Sequence, residues 1–266
     1  MTDWISLSDA ANLVQDGCTL ALGGMTVYRR PMAFVRELLR RRHPPRDLTL
    51  LCFTAGLESD LLVGAGCVRA VRSAYFGLEA FGFAPMFTAA AQAGAIQIVE
   101  ETEASLAMGI RASLSGVGFM PSRAWLGTDL PRLRPDVKTV TDPYTGEELM
   151  AFPAIQCDVA VLHALEGDRN GNCKINNNMG VDIELIYLAR TVIITVERIV
   201  HCVERSVDGM LIPAPGADYL VHAPRGAWPT SCYPDYPIAG GEFMRYVDAC
   251  SAGRFAEYLD KWLTNA

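Results

Sequence analysis

Asp16-Gly17-Cys18-Thr19-Leu20-Ala21-Leu22-Gly23-Gly24-Met25-Thr26-Val27-Tyr28-Arg29-Arg30-Pro31 decides how the rest of the chain is read. Asp16-Gly17 marks a turn. Thr19 to Leu22 is a short apolar run that ends in Gly23-Gly24, the pattern of a buried strand entering a tight loop. Met32 to Arg42 then has helical apolar spacing (Phe34, Val35, Leu38, Leu39), with a proline at its start, where proline is tolerated. The unit is strand, glycine loop, helix. Its glycines let the backbone approach a ligand closely, and the following helix turns its positive end toward the same place.

The alternation continues outward from this unit. Strand-like stretches lie at 48–53, 68–75, 96–100, 137–141, around 150–153, at 159–163 and at 191–196. Helical spacing covers 7–15, 85–94, 105–116, 183–189 and most of 240–263. Val159-Ala160-Val161-Leu162-His163 is apolar throughout, as expected of a strand buried on both faces of a parallel sheet. Thr191 to Val196 is the clearest β-branched run. The pattern predicts an α/β fold, a mainly parallel sheet flanked by helices. One domain is expected over 1–266, with an irregular excursion around 121–150, where four prolines fall.

Composition narrows the function. The 266 residues are 50% hydrophobic and 20% charged, which suits a folded globular chain rather than a disordered one. Net charge is -7, and no basic tract is long enough for a nucleic-acid footprint. The densest basic run, Arg40-Arg41-Arg42-His43, reads as a solvated helix end favoured by the helix dipole. The eight cysteines form no Cys-x-x-Cys pair and no zinc-spaced cluster, so no metal site is expected. Scattered thiols and the absence of a leader-like start give a cytoplasmic expectation.

The quoted stretch resembles the signature of family I coenzyme A transferases: Asp-Gly, two variable residues, three apolar residues, Gly-Gly-Phe, then a proline six residues on. Met25 stands where the family has Phe, and Arg29 where it usually has Gly. The glutaconate-type α subunits are more similar, because they also carry a basic pair before that proline. The resemblance continues through Asp47-Leu48-Thr49, Leu61 to Val68, Phe119-Met120-Pro121, Asp158 to Ala164 with Asp168 to Asn172, Val196 to Val200, and Ala223-Pro224-Arg225-Gly226-Ala227-Trp228-Pro229 with Cys232-Tyr233. In the last of these, Trp228 replaces a family His.

The resemblance implies the fold of that family and a CoA thioester as substrate, with no permanently bound cofactor. It implies that Gly23 and Gly24 form an oxyanion loop, where one well-placed donor is worth about 3–4 kcal/mol. Met25, Thr26 and Arg29 are then expected against the substrate. Thr26 would donate near the loop. Arg29 and Arg30 would pair with a diacid carboxylate or a CoA phosphate, or else form an ordinary pair at a helix start. In the family a β-type sequence carries the nucleophilic Glu within Ser-Glu-Asn-Gly. That motif is absent here, and the context of Glu58 in Gly-Leu-Glu-Ser does not fit it. A separate β subunit is therefore expected, in an α2β2 or larger assembly.

Two alternatives stand beside transfer. The α subunits of steroid ring-opening CoA hydrolases also resemble this chain, at Arg30 to Arg36, and carry an acidic residue matching Glu103. Glu103 would then be a general base; otherwise it supplies charge at a helix start. The third reading is a non-catalytic scaffold that stabilises β. His163 reads as a satisfied structural histidine and Glu197 as a salt-bridge partner. Asn176-Asn177-Asn178 reads as a polar loop without assigned chemistry.

Overall fold

The apolar runs that read as buried strands lie at the middle of one large sheet. A computed structural model describes residues 2–264. The first half runs β1 (Asp3–Trp4), α1 (Leu7–Asn12), β2 (Thr19–Leu22), α2 (Met32–Arg40), β3 (Leu48–Ala55), α3 (Leu57–Gly64), β4 (Val68–Phe76), α4 (Pro85–Gln92), β5 (Gln97–Glu100) and α5 (Glu103–Leu114). The second half runs β6 (Phe119–Ser122), α6 (Leu130–Leu133), β7 (Lys138–Thr141), β8 (Glu148–Pro153), β9 (Cys157–Asp168), β10 (Cys173–Asn176), α7 (Asp182–Leu188), β11 (Ala189–Val200), β12 (Gly209–Ile212), β13 (Tyr219–His222), α8 (Gly240–Ser251) and α9 (Phe255–Thr264).

The main sheet has the order β1-β13-β11-β9-β2-β3-β4-β5, and every pair along that path is parallel. A short antiparallel extension, β10 with β12, hangs from β9. The chain builds rightward from β2 through β5 and later returns to the other side of β2 with β9. The point between β2 and β9 is therefore a topological switch point, where open α/β sheets place their ligand crevice at the carboxyl ends of the strands. The loop after β2 is the Gly23-Gly24 loop.

Helices cover both faces. On one, α1, α2, α3, α8 and α9 bury Ala10, Phe34, Leu38, Leu61, Phe243 and Trp262 in the larger core. On the other, α5 and α7 bury Leu106, Ile110, Leu185 and Ile186 against Ala160, Leu162 and Ile194. The stretch 240–263, expected to be mostly helical, holds two helices, with Gly253 at φ +71° turning the chain between α8 and α9. α5 begins two residues earlier than its apolar spacing suggests. Thr102 accepts from the Ser105 N–H and Ser105 returns a bond to the Thr102 N–H, a reciprocal cap.

The excursion is more ordered than its prolines suggest. β6, β8 and β7 form a three-stranded antiparallel sheet around a small core of Trp125, Val137, Met150 and Phe152. β7 and β8 match the strand-like stretches expected at 137–141 and around 150–153, whereas β6 and the pairing of the three carry no such signal in sequence. The basic run is also less free than expected. Arg40 donates to the Leu263 carbonyl, and Arg41 to those of Ala11 and Val14, so both close helix ends. All eight cysteines are unpaired. No helix among the described residues is long and apolar enough to cross a membrane.

Asp60, fully buried in α3, ties three helices together. It accepts from the Met86 and Phe87 N–H groups at the start of α4 (3.2 and 2.6 Å) and from the Tyr246 hydroxyl of α8. Burial pushes its pKa up to about 6, against the pull of those hydrogen bonds. The folded state therefore holds this proton to higher pH than the unfolded chain, and the stabilisation fades as pH rises from about 4 through 6. In urea titrations, the advantage of wild type over Asp60→Asn is expected to shrink by on the order of 1 kcal/mol between pH 5 and pH 7.5. A pH-independent difference would show that Asp60 ionises normally.

Candidate functional site

β2 ends on the rung Ala21–Leu51–Arg72–Val99, and the loop that follows is tightly fixed. Gly24 has φ +82°, and a Cβ there would lie 2.5 Å from the Arg29 carbonyl oxygen and 2.7 Å from that of Tyr28. Only glycine fits both the dihedral and the space. Met25 and Tyr28 exchange N–H to C=O bonds of 3.0 and 2.7 Å, closing a four-residue turn. The Thr26 N–H donates to Thr54 Oγ1 at 2.9 Å. A Cβ on Gly56, after β3, would sit 2.1 Å from the Thr26 carbonyl oxygen, so that second glycine is required for the loop to dock.

The basic pair is not available to a substrate, contrary to the expectation for Arg29. Both Arg29 and Arg30 are 0% exposed. Arg29 pairs with Asp182 Oδ1 at 2.8 Å and donates to Asn176 Oδ1 and to the carbonyls of Asn178 and His163. Arg30 pairs with Glu58 at 2.6 Å and donates to the Gly24 carbonyl at 2.8 Å. Two buried guanidinium groups thus clamp the loop from inside. Removing one partner of either pair would leave a buried charge alone, at a cost of several kcal/mol.

The same clamp changes the reading of the glycine amides. The Gly23 N–H donates to the Val161 carbonyl and the Gly24 N–H to Asp182 Oδ1, both at 2.9 Å. Neither is free to hold an oxyanion in this conformation. Among the described residues, Val27 is the one position from 23 to 30 whose backbone N–H has no acceptor. It sits in the turn beside Met25. Of the three residues expected against a substrate, Met25 is 39% exposed, whereas Thr26 is 1% exposed and Arg29 is sealed.

His163 and Glu197 form the wall behind the loop. His163 Nε2 lies 2.7 Å from Glu197 Oε1, and Nδ1 lies 2.8 Å from Thr195 Oγ1. Burial lowers the His163 pKa, opposed by Glu197. Neutral His163 then donates Nε2–H to the carboxylate and accepts from Thr195 at Nδ1. Burial works to raise the Glu197 pKa, but His163, the Tyr236 hydroxyl and the Arg225 N–H hold it below the usual range. These are satisfied structural groups, as read from sequence. With Cys232 they place three donors within 4.8 Å of one another, but His163 and Glu197 already bond each other. In front of them, Tyr28, Asn178, Ser231, Tyr233, Tyr236 and Ile238 line an open cleft of about 640 Å³ next to the loop. A larger cavity of about 700 Å³ lies at the tips of β9 and β11, remote from the glycine loop: Asp168 is seven residues past Val161, or ~23 Å of strand.

Glu103 is the first residue of α5, exposed and without a hydrogen bond or ion pair among the described residues. It lies at the same carboxyl end of the sheet as the glycine loop. Three strand spacings separate β2 from β5, about 14 Å. Two residues earlier, Glu101 is buried and bound by Arg72 and Arg134.

Sequence reading missed the partners that make the loop rigid. Asp182, Asn176 and Thr54 each bond a loop residue from a distant part of the chain. The Asn176-Asn177-Asn178 run was the available signal. Asn176 receives Arg29 and donates to the Tyr233 carbonyl, joining the loop to the cleft.

Comparison with known proteins fits this geometry. Residues 5–223 match the family description Coenzyme A transferase. The A-type component of a 3-oxoadipate CoA-transferase from Pseudomonas knackmussii is 32% identical over 99% of this chain and 94% of its own length. A cholesterol ring-cleaving hydrolase IpdA subunit from Mycobacterium tuberculosis is 34% identical over 92% of this chain and 87% of its own. The crystal structure of a variant of the decarboxylase AibA/AibB superimposes with a TM-score of 0.91, 32% identity and 99% coverage of both chains.

Gly17 and Gly24 separate conformation from packing. Both have positive φ, but a Cβ on Gly17 meets nothing within 4 Å. Gly17→Ala is expected to cost about 1–2 kcal/mol. Gly24→Ala should cost well beyond that, on the order of 3 kcal/mol or more, because the Tyr28 and Arg29 carbonyls must move. Thermal unfolding of the two variants checks this; equal losses would mean that the loop is loose.

Proposed function

The chain belongs to the coenzyme A transferase family, as its A-type or α subunit, and on that premise we propose how its residues serve the reaction. The chain forms the glycine-loop wall of a cleft completed by a β subunit, in an α2β2 or larger assembly. A Glu of that partner attacks the carbonyl of an acyl-CoA, giving an acyl-glutamyl anhydride and free CoA thiolate. The thiolate attacks the glutamyl carbonyl of that anhydride, expelling the donor carboxylate and leaving a glutamyl-CoA thioester. The acceptor carboxylate then runs the same two steps in reverse, departing as its CoA thioester and restoring the free Glu.

Gly23 and Gly24 act by shaping the loop rather than by donating to the oxyanion themselves. Their amides are committed to Val161 and Asp182, and the Val27 N–H, which has no acceptor, lies on a residue only 1% exposed, so the loop's part is to set the shape of the cleft wall. Met25, exposed at the tip, touches the acyl group, and Thr26 supports the turn from beneath. The observation that carries this reading is the position of the loop: carboxyl end of β2, at the switch point beside β9. Eight unpaired cysteines support action in the reducing cytoplasm.

A second reading rests on Glu103. A general base must come within hydrogen-bond reach of its proton, about 3 Å. About 14 Å of sheet lies between β2 and β5, so Glu103 does not suit attack of water on a thioester held at the loop. It suits proton transfer at the far end of a long acyl group whose thioester sits at the loop. The unpaired carboxylate at the start of α5 and the ring-cleaving hydrolase relative favour this reading.

The test is reconstitution with the partner subunit. The chain alone is expected to show no CoA exchange between 3-oxoadipyl-CoA and succinate, and the pair to show it. Glu103→Gln is expected to leave that exchange within about twofold, since the nucleophile lies elsewhere. A hundredfold loss on exchange would place Glu103 in the transfer step. Exchange by the isolated chain would overturn the need for a partner.

A further inference from the structure

The excursion between α5 and β9 is tied to α5 at two places: Ile155 bonds Gly109 and Ser113 farther along the helix, and Trp125 and Arg134 converge on its start. Trp125 Nε1 donates to Thr102 Oγ1 at 2.9 Å, and Thr102 is the cap residue immediately before Glu103. Arg134 Nη1 reaches the Glu101 carboxylate at 2.8 Å and the Glu100 carbonyl at 2.7 Å. From the sheet side, Arg72 holds the same Glu101 oxygen at 2.7 Å, and Ser105 donates to the other. Residues 100, 101, 102 and 105 are each fixed, whereas Glu103 between them has no partner of its own among the described residues.

We propose that Trp125 and Arg134 are positioning residues for Glu103: the excursion sets the first turn of α5 and so aims a carboxylate that it does not touch. The proposal rests on the second reading above. A largely buried network of two arginines with Glu101 and, on the far side of Arg134, Asp136 is weak evidence for stability, because desolvation offsets its attraction. Its distinctive effect is geometric: both guanidinium groups converge on one oxygen, at the point where β5 hands over to α5. Trp125 itself is held at φ +75°, a conformation that persists only where the surroundings over-determine it. Its ring is fixed by Phe152, edge-on at 5.0 Å, and by the Arg134 guanidinium at 6.0 Å. The two latch residues therefore also hold each other.

The clamp reaches the glycine loop through packed elements. Leu106 and Ile110 of α5 share a core cluster with Val181 and Leu185, which flank Asp182, the acceptor of the Gly24 amide. Both helices start at the carboxyl end of the sheet on the same face. Glu103 and the loop are thus held in one frame, and the excursion fixes its outer edge.

The test uses the reconstituted two-subunit enzyme and the variants E103Q, W125F, R134K and R134M. Two readouts are compared: hydrogen exchange at the amides of residues 102–106, and kcat and KM for hydrolysis, without an acceptor acid, of a CoA thioester that carries a cyclic 1,3-diketone about 14 Å from its thioester carbonyl. W125F removes only the indole donor and R134K keeps the charge, so both remain informative if R134M folds poorly. The proposal expects amide exchange at 102–106 to rise at least tenfold in W125F and R134M. It expects kcat to fall at least tenfold with KM within twofold, and R134K to recover part of the loss. If E103Q abolishes turnover while W125F and R134M retain wild-type kcat, the positioning role is overturned and the reading of Glu103 survives. If E103Q is without effect while exchange rises in the latch variants, the reading of Glu103 fails, and the positioning role fails with it.

Discussion

The ion pair between Arg29 and Asp182, closed by the Gly24 amide on the same carboxylate oxygen, is the constraint on which the loop depends. Asp182 lies at the start of α7, and the Gly24 loop follows β2. The pair therefore joins the two halves of the sheet across the switch point. A buried charge is tolerable there only because its partners are complete: Asp182 also accepts from the Gly180 N–H, and Arg29 fills its remaining directions with Asn176, Asn178 and His163. Taking either ion away would leave the other desolvated and alone. A loop built in this way has one conformation, which a cleft must have if it is to stabilise a transition state rather than a substrate.

That rigidity explains how one subunit type serves several reactions. Proteins similar to this chain over nearly its full length carry the names of a CoA-transferase, a ring-cleaving hydrolase and a decarboxylase. On the reading proposed above, a thioester is held at the sheet end beside the clamped loop. The features that divide the set are expected at the rim, where Met25 and Glu103 are exposed. Function on a shared fold resides in such grafted side chains, not in the frame.

Much of the frame was legible in the sequence because it depends on local pattern. Strand periodicity, the proline before α2 and the glycines after β2 each have a short-range cause. In the excursion β7 and β8 were legible, but their assembly with β6 into one sheet was not, since its core of Trp125, Val137, Met150 and Phe152 draws on residues scattered along the whole segment. The glycine loop was legible as a tight turn, but its hydrogen bonding was not. Gly23 and Gly24 marked the loop, yet their amides turned out to be committed, and Arg29 turned out to be buried. A basic pair at a helix start reads the same whether it faces solvent or an aspartate 153 residues away. Only the Asn176-Asn177-Asn178 run hinted at the partner, and it has no pattern that names one.

Spacing along the rim then limits the chemistry. The rung Ala21–Leu51–Arg72–Val99 puts the glycine loop and α5 at the same height but three strands apart. A small acyl group held at the loop leaves Glu103 idle, and the chain then contributes only the loop to transfer. An acyl group long enough to cross β3 and β4 brings an acidic carbon or a ring under Glu103, and the same chain gains a base. On the second reading proposed for Glu103, the reaction class would follow from acyl length as much as from the residues. The carboxylate at the head of α5 is exposed about 14 Å of sheet away from the loop, and on that reading only a substrate spanning this distance meets it.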